Sequence, residues 1–278
     1  MEELFGPQTI TVMKNNDKKV ILISDIHTQE FEFEIPKNAC EKLAIKDKKI
    51  DYFIELNYDD ISKPYNKTLY VYSRCITNNK KFFNPFLVDY RHKLPQRVLI
   101  NNLITLFSLP QNELFNTGQL SEILFALNDN LKTIDGFNHI KLLKTYFDIV
   151  NKNNSVSIKP DKNILKYYVT EYKNIEKETG GLKYIFDNFY SEFNAFYDFV
   201  QNTDDKKVKI PVRLLLALNK LLRYLLRFEE LLFDTYTLTG ITTSTNDTVI
   251  VQVGLQHIKS YEKFLSSLDF SVTKKITF

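Results

Sequence analysis

The residues in this chain that could do chemistry are few, and most stand in similar places. Of its four histidines, His27 closes Ser24-Asp25-Ile26-His27, His257 closes Gly254-Leu255-Gln256-His257, and His92 follows Asp89-Tyr90-Arg91. Each group follows a short apolar run: VILI (20–23), TVIVQV (248–253) and FLV (86–88). A fourth run, DYFI (51–54), ends in Glu55. Two imidazoles can act as general base and general acid, or ligate a metal through a neutral nitrogen. Glu55 can orient a water or accept its proton. Arg91 can stabilise a developing oxyanion or grip an acidic group by a two-pronged hydrogen bond. Asp89 would steady Arg91 or a histidine, and Asp25 stands beside the first strand end. The set suits hydrolysis without a serine nucleophile. His139, in DGFNHIKLL, sits by a helix start and reads as a packing or surface residue.

The elements that must position these groups follow from hydrophobic patterning. The four apolar runs are strand-length and rich in β-branched and aromatic residues, as befits strands covered on both faces. ITVM (10–13) reads as an extra edge strand and ACEKLAI (39–45) as a short helix. The stretch NYDDISKPYNKTLYVYSRCITNNKK (57–81) is poor in helix signals and reads as a long excursion. From Leu94 to about Thr237 the period becomes 3.6, broken at Pro110, Asp135-Gly136, Lys159-Pro160, Gly180-Gly181 and Asn202-Thr203-Asp204. The longest helical segment is Pro211–Phe233, with Pro211 suited to its first turn. Strand character returns after Gly240, and HIKSYEKFLSSL follows as a closing helix.

The expectation is a single α/β domain over 1–278. A mainly parallel sheet flanked by helices would come from about 8–92 and 245–270, with a large all-helical insertion, about 95–237, before the last strand. In an open parallel sheet the carboxyl ends of the strands share one edge, where ligand sites form. His27, Glu55, Asp89, Arg91 and His257 are therefore expected to meet there.

Composition narrows the function classes. The net charge is +3, and the lysine clusters NNDKK, KDKKI, NNKKF and DDKKVK are short and interrupted by acidic residues. They read as solvated loops and helix ends, so no nucleic acid is expected as partner. No run reaches the roughly 20 apolar residues of a bilayer span, so no membrane span is expected. The opening MEELFGPQ shows no secretory leader, which points to a protein that is not secreted. Cys40 and Cys75 have no metal-site spacing and nothing argues for their pairing, so a reducing intracellular setting fits. The aromatic segment FDNFYSEFNAFYDFV (186–200) reads first as core, with a partner surface as the sharper alternative.

Two resemblances can be weighed on these motifs. SDIH looks like the opening of a metal-dependent phosphoesterase site, but the Gly-Asp and Gly-Asn-His motifs of that family are absent from the chain. A broader resemblance is to the erythromycin-esterase, ChaN-like and Tiki/TraB superfamily. SDIH (24–27) would be its first G-x-x-H motif, with Ser24 for the usual Gly and Asp25 for the frequent Glu; FIEL (53–56) supplies Glu55; GLQH (254–257) is an intact closing motif followed by the expected helix. The nearest branch is in large nucleocytoplasmic DNA viruses. FNPFLVDYRH (83–92) is similar to its Asp-x-Arg segment, and LLFDTYTLTG (231–240) to its Asp-x-Tyr-x-Leu segment, matching at Asp234 and Tyr236.

The resemblance implies a hydrolase of esterase, amidase or metallohydrolase type acting on a small-molecule or peptide substrate. His27, Glu55, Arg91 and His257 would be catalytic, with Asp25, Asp89, Asp234 and Tyr236 supporting. A divalent metal, held by His27, Glu55 and His257, is the first candidate cofactor and haem the second. The departures at Ser24 and at Thr239-Gly240, where an Arg commonly follows, favour the alternative of a relic site. That alternative is a capsid-associated virion component with other viral proteins as partners. The implied location is the host cytoplasm or the virion.

Overall fold

The computed structural model describes residues 8–25, 39–61, 68–109, 115–134, 136–204 and 206–277. Among them are eight strands: β1 (Thr9–Lys14), β2 (Lys19–Asp25), β3 (Ile50–Ile54), β4 (Phe83–Leu87), β5 (Phe115–Asn116), β6 (Lys207–Val208), β7 (Thr248–Gly254) and β8 (Ser271–Thr277). The α-helices are α1 (Tyr58–Ile61), α2 (Thr68–Asn78), α3 (Arg97–Ser108), α4 (Thr117–Leu131), α5 (His139–Asn154), α6 (Lys162–Thr179), α7 (Leu182–Asn202), α8 (Val212–Thr243) and α9 (Leu255–Ser266). The chain divides into two compact units, one of residues 1–90, 146–167 and 232–278, the other of 91–145 and 168–231. No helix among the described residues is long and apolar enough to cross a membrane.

The first unit is built on a six-stranded sheet in the order β4-β3-β7-β2-β1-β8. The class is α/β as expected, but the sheet is mixed and not mainly parallel. β4, β3, β7 and β2 run parallel, while β1 is antiparallel to β2 and to β8. The cause lies in Asn15–Lys18. Asn15 accepts at Oδ1 from the N–H groups of Asp17 and Lys18, and its own N–H donates to the carbonyl of Lys18 at 3.1 Å. So tight a turn can join only antiparallel neighbours. β1 is therefore not an edge; β8 covers it. SVTKKIT gives little warning of a strand because nearly every side chain in it is exposed.

One sheet face packs Ile21, Ile23, Tyr52, Ile54 and Ile250 against Leu69, Tyr72, Cys75 and Ile76 of α2 and against Cys40 and Leu43. Cys40 and Leu43 belong to the 3-10 helix Ala39–Leu43. The expected excursion over 57–81 is thus largely helical. TLYVYSRCITN is rich in β-branched and aromatic residues, which lowers helix propensity, but Leu69, Tyr72 and Ile76 recur at helical spacing and burial overrides propensity. Cys40 and Cys75, whose pairing the sequence leaves open, are joined in a disulfide closing 35 residues. The 3-10 helix and α2 are thereby bound to each other over the same sheet face.

Strand alternation sends Phe53, Val249, Val251 and Val253 to the opposite face. There α8 comes close: a Cβ on Gly240 would lie 2.3 Å from the Phe53 ring, which is itself stacked on Phe86. At the amino ends of the strands, Asp51 accepts from Ser244, Asn246 and Asn84. Lys18 donates to the carbonyls of Ile241 and Ser244 at the end of α8, at 3.0 and 2.7 Å.

The second unit is helical apart from the short β5–β6 pair. Its helices carry buried stripes such as Leu120, Leu124, Leu127 and Leu131, or Ile185, Phe189, Phe193, Phe196 and Val200. The aromatic run of α7 is therefore mainly core, although Tyr184 and Phe199 are exposed.

Candidate functional site

Glu55 immediately follows β3, and Gly254 ends the neighbouring parallel β7, where the chain turns straight into α9. The Gly254 N–H donates to Glu55 Oε2 at 2.8 Å, so the two strand ends are tied together through the carboxylate. His257 lies in the first turn of α9 and is directed inward. Its Nδ1 is 2.6 Å from Asp234 Oδ1, and its Nε2 is 3.5 Å from Glu55 Oε1. Asp234 is carried by α8. The end of β3, α8 and α9 thus place an imidazole between two carboxylates.

All three side chains are less than one-tenth exposed. Burial alone would lower the pKa of His257, because it penalises the charged ring. The charge and hydrogen bond of Asp234, and then those of Glu55, outweigh it and raise the pKa to about 10. At neutral pH the ring is an imidazolium, with Nδ1–H donating to Asp234. The Nε2–Glu55 separation is longer than a charge-assisted hydrogen bond of about 2.7–2.9 Å. Nε2 is therefore the less tightly held nitrogen.

Two further residues were not expected here. Tyr261, one turn after His257 on α9, is fully buried, and Thr237 lies one turn after Asp234 on α8. Asp234 and Thr237 are polar neighbours of the Tyr261 hydroxyl, but neither makes a well-aligned hydrogen bond with it. Burial, followed by the proximity of Asp234, pushes the Tyr261 pKa well above its usual value. Their i, i+3 and i, i+4 spacings from Asp234 and His257 were the available signal.

The remaining expected residues fall in other places. Asp25 shares the sheet face of Ile21 and Ile23, opposite to that of Glu55. There it accepts from Gln252 Nε2 at 3.4 Å, while Gln252 Oε1 accepts from the Tyr52 hydroxyl at 2.8 Å. Asp25 therefore belongs to a different polar group from His257. Asp89 follows β4, with its N–H on the carbonyl of Leu56 at 3.1 Å. Tyr236 is two residues past Asp234, which on a helix turns it away from Asp234. Its hydroxyl donates to Asn151 Oδ1 at 2.9 Å, and its ring packs on Tyr146 and Phe147. Arg91 starts the 3-10 helix Arg91–Lys93, which opens the second unit. His27 lies outside the described residues.

A metal ligand must offer a bare nitrogen lone pair. Asp234 on Nδ1 is the kind of partner that orients a metal-ligating histidine, and a metal at Nε2 would take the place of its proton; Glu55 Oε1 faces that same nitrogen. Among the described residues no group of three or more His, Cys, Asp or Glu is disposed to hold a metal.

No family model, curated protein or solved structure matches the chain.

Proposed function

We propose that the chain is a hydrolase-like protein, of the esterase or amidase kind, whose acid–base pair is Glu55 and His257. The observation that carries this reading is the His257 ring, held at Nδ1 by Asp234 and turned through Nε2 toward Glu55 at the ends of two adjacent parallel strands. An orienting carboxylate on one nitrogen and a reactive group at the other is the arrangement acid–base catalysis requires.

The pKa sets the roles. Glu55, a carboxylate, takes a proton from water as its oxygen attacks the substrate carbonyl. The His257 imidazolium gives its Nε2 proton to the departing alkoxide or amine as the C–O or C–N bond breaks. Glu55 then returns its proton to Nε2 across the short gap between them, restoring the starting state. Asp234 holds the ring and keeps it charged. His27 and Arg91, supplied by the sequence reading, would add a second imidazole and an oxyanion partner; the substrate would be a small-molecule ester or amide, or a peptide.

The test is hydrolysis of a panel of p-nitrophenyl esters and anilides by the native chain, His257→Gln and Glu55→Gln. Loss of a general acid or base should lower turnover by about 100-fold or more in each variant. Equal rates in all three would remove the hydrolase reading.

A second reading is favoured by the burial of the triad, which leaves each group less than one-tenth exposed. Here Glu55, Asp234 and His257 are a relic that now ties β3, β7, α8 and α9 together in a non-catalytic viral protein, a virion or capsid-associated component with other viral proteins as partners. In that case the same variants lose stability, no ester is turned over by any of them, and the chain is recovered in purified particles.

A further inference from the structure

Three of the four lysine clusters that look scattered in sequence are gathered by the fold. NNDKK (15–19) leads into β2, KDKK (46–49) into β3 and NNKK (78–81) into β4. These three strands are parallel to β7, so all three clusters stand at the amino edge of the sheet, opposite to the edge of Glu55 and His257. Register places Ile50 against Phe83, which brings the second and third clusters side by side. Beside the outer edge of β4 lies a groove of about 610 Å3, lined by Lys49 and Lys80 and, on its apolar side, by residues that include Pro85, Phe86 and Val156. That volume is within the usual range for small-molecule sites, about 300–1,000 Å3.

Most polar side chains in the groove are already committed. Asn84 donates to Asp51, Asn153 to the carbonyl of Ile149, and Thr77 to the carbonyl of Ser73. Asn154 donates to the Leu87 carbonyl and accepts from the Leu87 N–H. Lys49 and Lys80 form no ion pair among the described residues. The available charge is therefore positive. An added peptide strand is disfavoured, because β4 has no outward N–H to give it. That of Phe83 goes to the Asn79 carbonyl, Pro85 has none, and that of Leu87 goes to Asn154.

We propose that this groove binds a small anionic molecule with an apolar body, its phosphate or carboxylate between Lys49 and Lys80 and its body against Pro85 and Phe86. Lysine recognises either headgroup as a point charge. The site is independent of the acid–base pair.

The test is calorimetric titration of the full chain with 1-naphthyl phosphate, 1-naphthoate, 1-naphthol and inorganic phosphate. The comparison proteins are Lys49→Glu/Lys80→Glu, Lys49→Gln/Lys80→Gln and, as a control on exposed α6, Lys173→Glu. At least one naphthyl anion should bind, at least tenfold more tightly than naphthol or inorganic phosphate. Both double variants should weaken it at least tenfold and the control should not. Preference between the two naphthyl anions assigns the headgroup, and either preference supports the site. Absence of binding by both anions, naphthol binding as tightly, inorganic phosphate binding as tightly, or double variants that bind like the native chain would each overturn the proposal.

Discussion

His257 and His139 are both partly withdrawn from water, and for both the first effect of burial is to lower the pKa. They end on opposite sides of neutrality. His257, in the first unit, has a carboxylate at each nitrogen, and its pKa rises to about 10. His139, in the second, lies flat on Tyr172 with ring centroids 3.9 Å apart, and the hydroxyl of Tyr168 is 3.3 Å from its Nδ1. Its nearest influential carboxylate, Glu176, accepts from the hydroxyls of Tyr172 and Tyr224 and acts on the ring only at a distance. Burial wins there and the pKa stays below the usual value. Desolvation is common to both rings; direct ionic partners decide the charge.

The largest test of this contrast is Asp234→Ala. It leaves a buried imidazolium without its closest counter-charge, and breaking such a pair costs about 3–5 kcal/mol. Urea unfolding at pH 7 should show a loss of that size. A loss below about 1 kcal/mol would mean the pair does not hold the ring charged.

The next test is pH. The folded-state pKa of His257 lies above its unfolded value of 6.5, so its contribution to stability is complete below pH 6.5 and is lost as pH climbs toward about 10. His139 has a folded pKa below 6.5, so its contribution is complete above pH 6.5 and falls away as pH drops through that value. Unfolding midpoints measured from pH 5 to 10 should decline on both flanks. Asp234→Ala should flatten the alkaline limb alone, and His139→Phe the acid limb alone.

Nitrogen-15 spectra of the imidazoles sharpen the same point without perturbing the fold. At pH 8 His257 should show two protonated ring nitrogens and His139 one. A neutral His257 at that pH would reverse the acid and base roles assigned to it and Glu55. The smallest effect is expected from His139→Ala, which forfeits a ring stack worth about 0.5–1.5 kcal/mol. Losing as much there as in Asp234→Ala would erase the distinction between the two histidines.

That His257 and Glu55 would lie side by side was legible from their places behind two strands. GLQH after TVIVQV located His257, and DYFIE located Glu55, because parallel strands present their carboxyl ends together. Asp234 entered through resemblance, and no local pattern in LLFDTYTLTG tells that this carboxylate, and not Tyr236, would reach His257. Helical spacing could at least have separated the two, since residues two apart point in different directions. Asp25 was grouped with Glu55 because sequence shows that a strand ends but not which face its last side chain takes; that depends on register, and one residue of slip reverses it. Helix α2 was hidden by β-branched residues whose burial outweighs their propensity. β8 was hidden because an exposed strand needs no apolar face, and the disulfide because two cysteines 35 residues apart in sequence carry no sign of proximity.

Asn154 has a consequence beyond the groove. Its amide donates to the Leu87 carbonyl at 2.7 Å and accepts from the Leu87 N–H at 2.9 Å, as a residue of a further strand would. An uncovered β4 could recruit the same strand of another molecule and begin an ordered aggregate. One side chain at the end of α5, with Pro85 beside it, closes that flank, while Lys274 and Lys275 place charge on the other border of the sheet. Asn154→Ala, which reopens that flank, should therefore scatter light at a lower temperature than the native chain on heating.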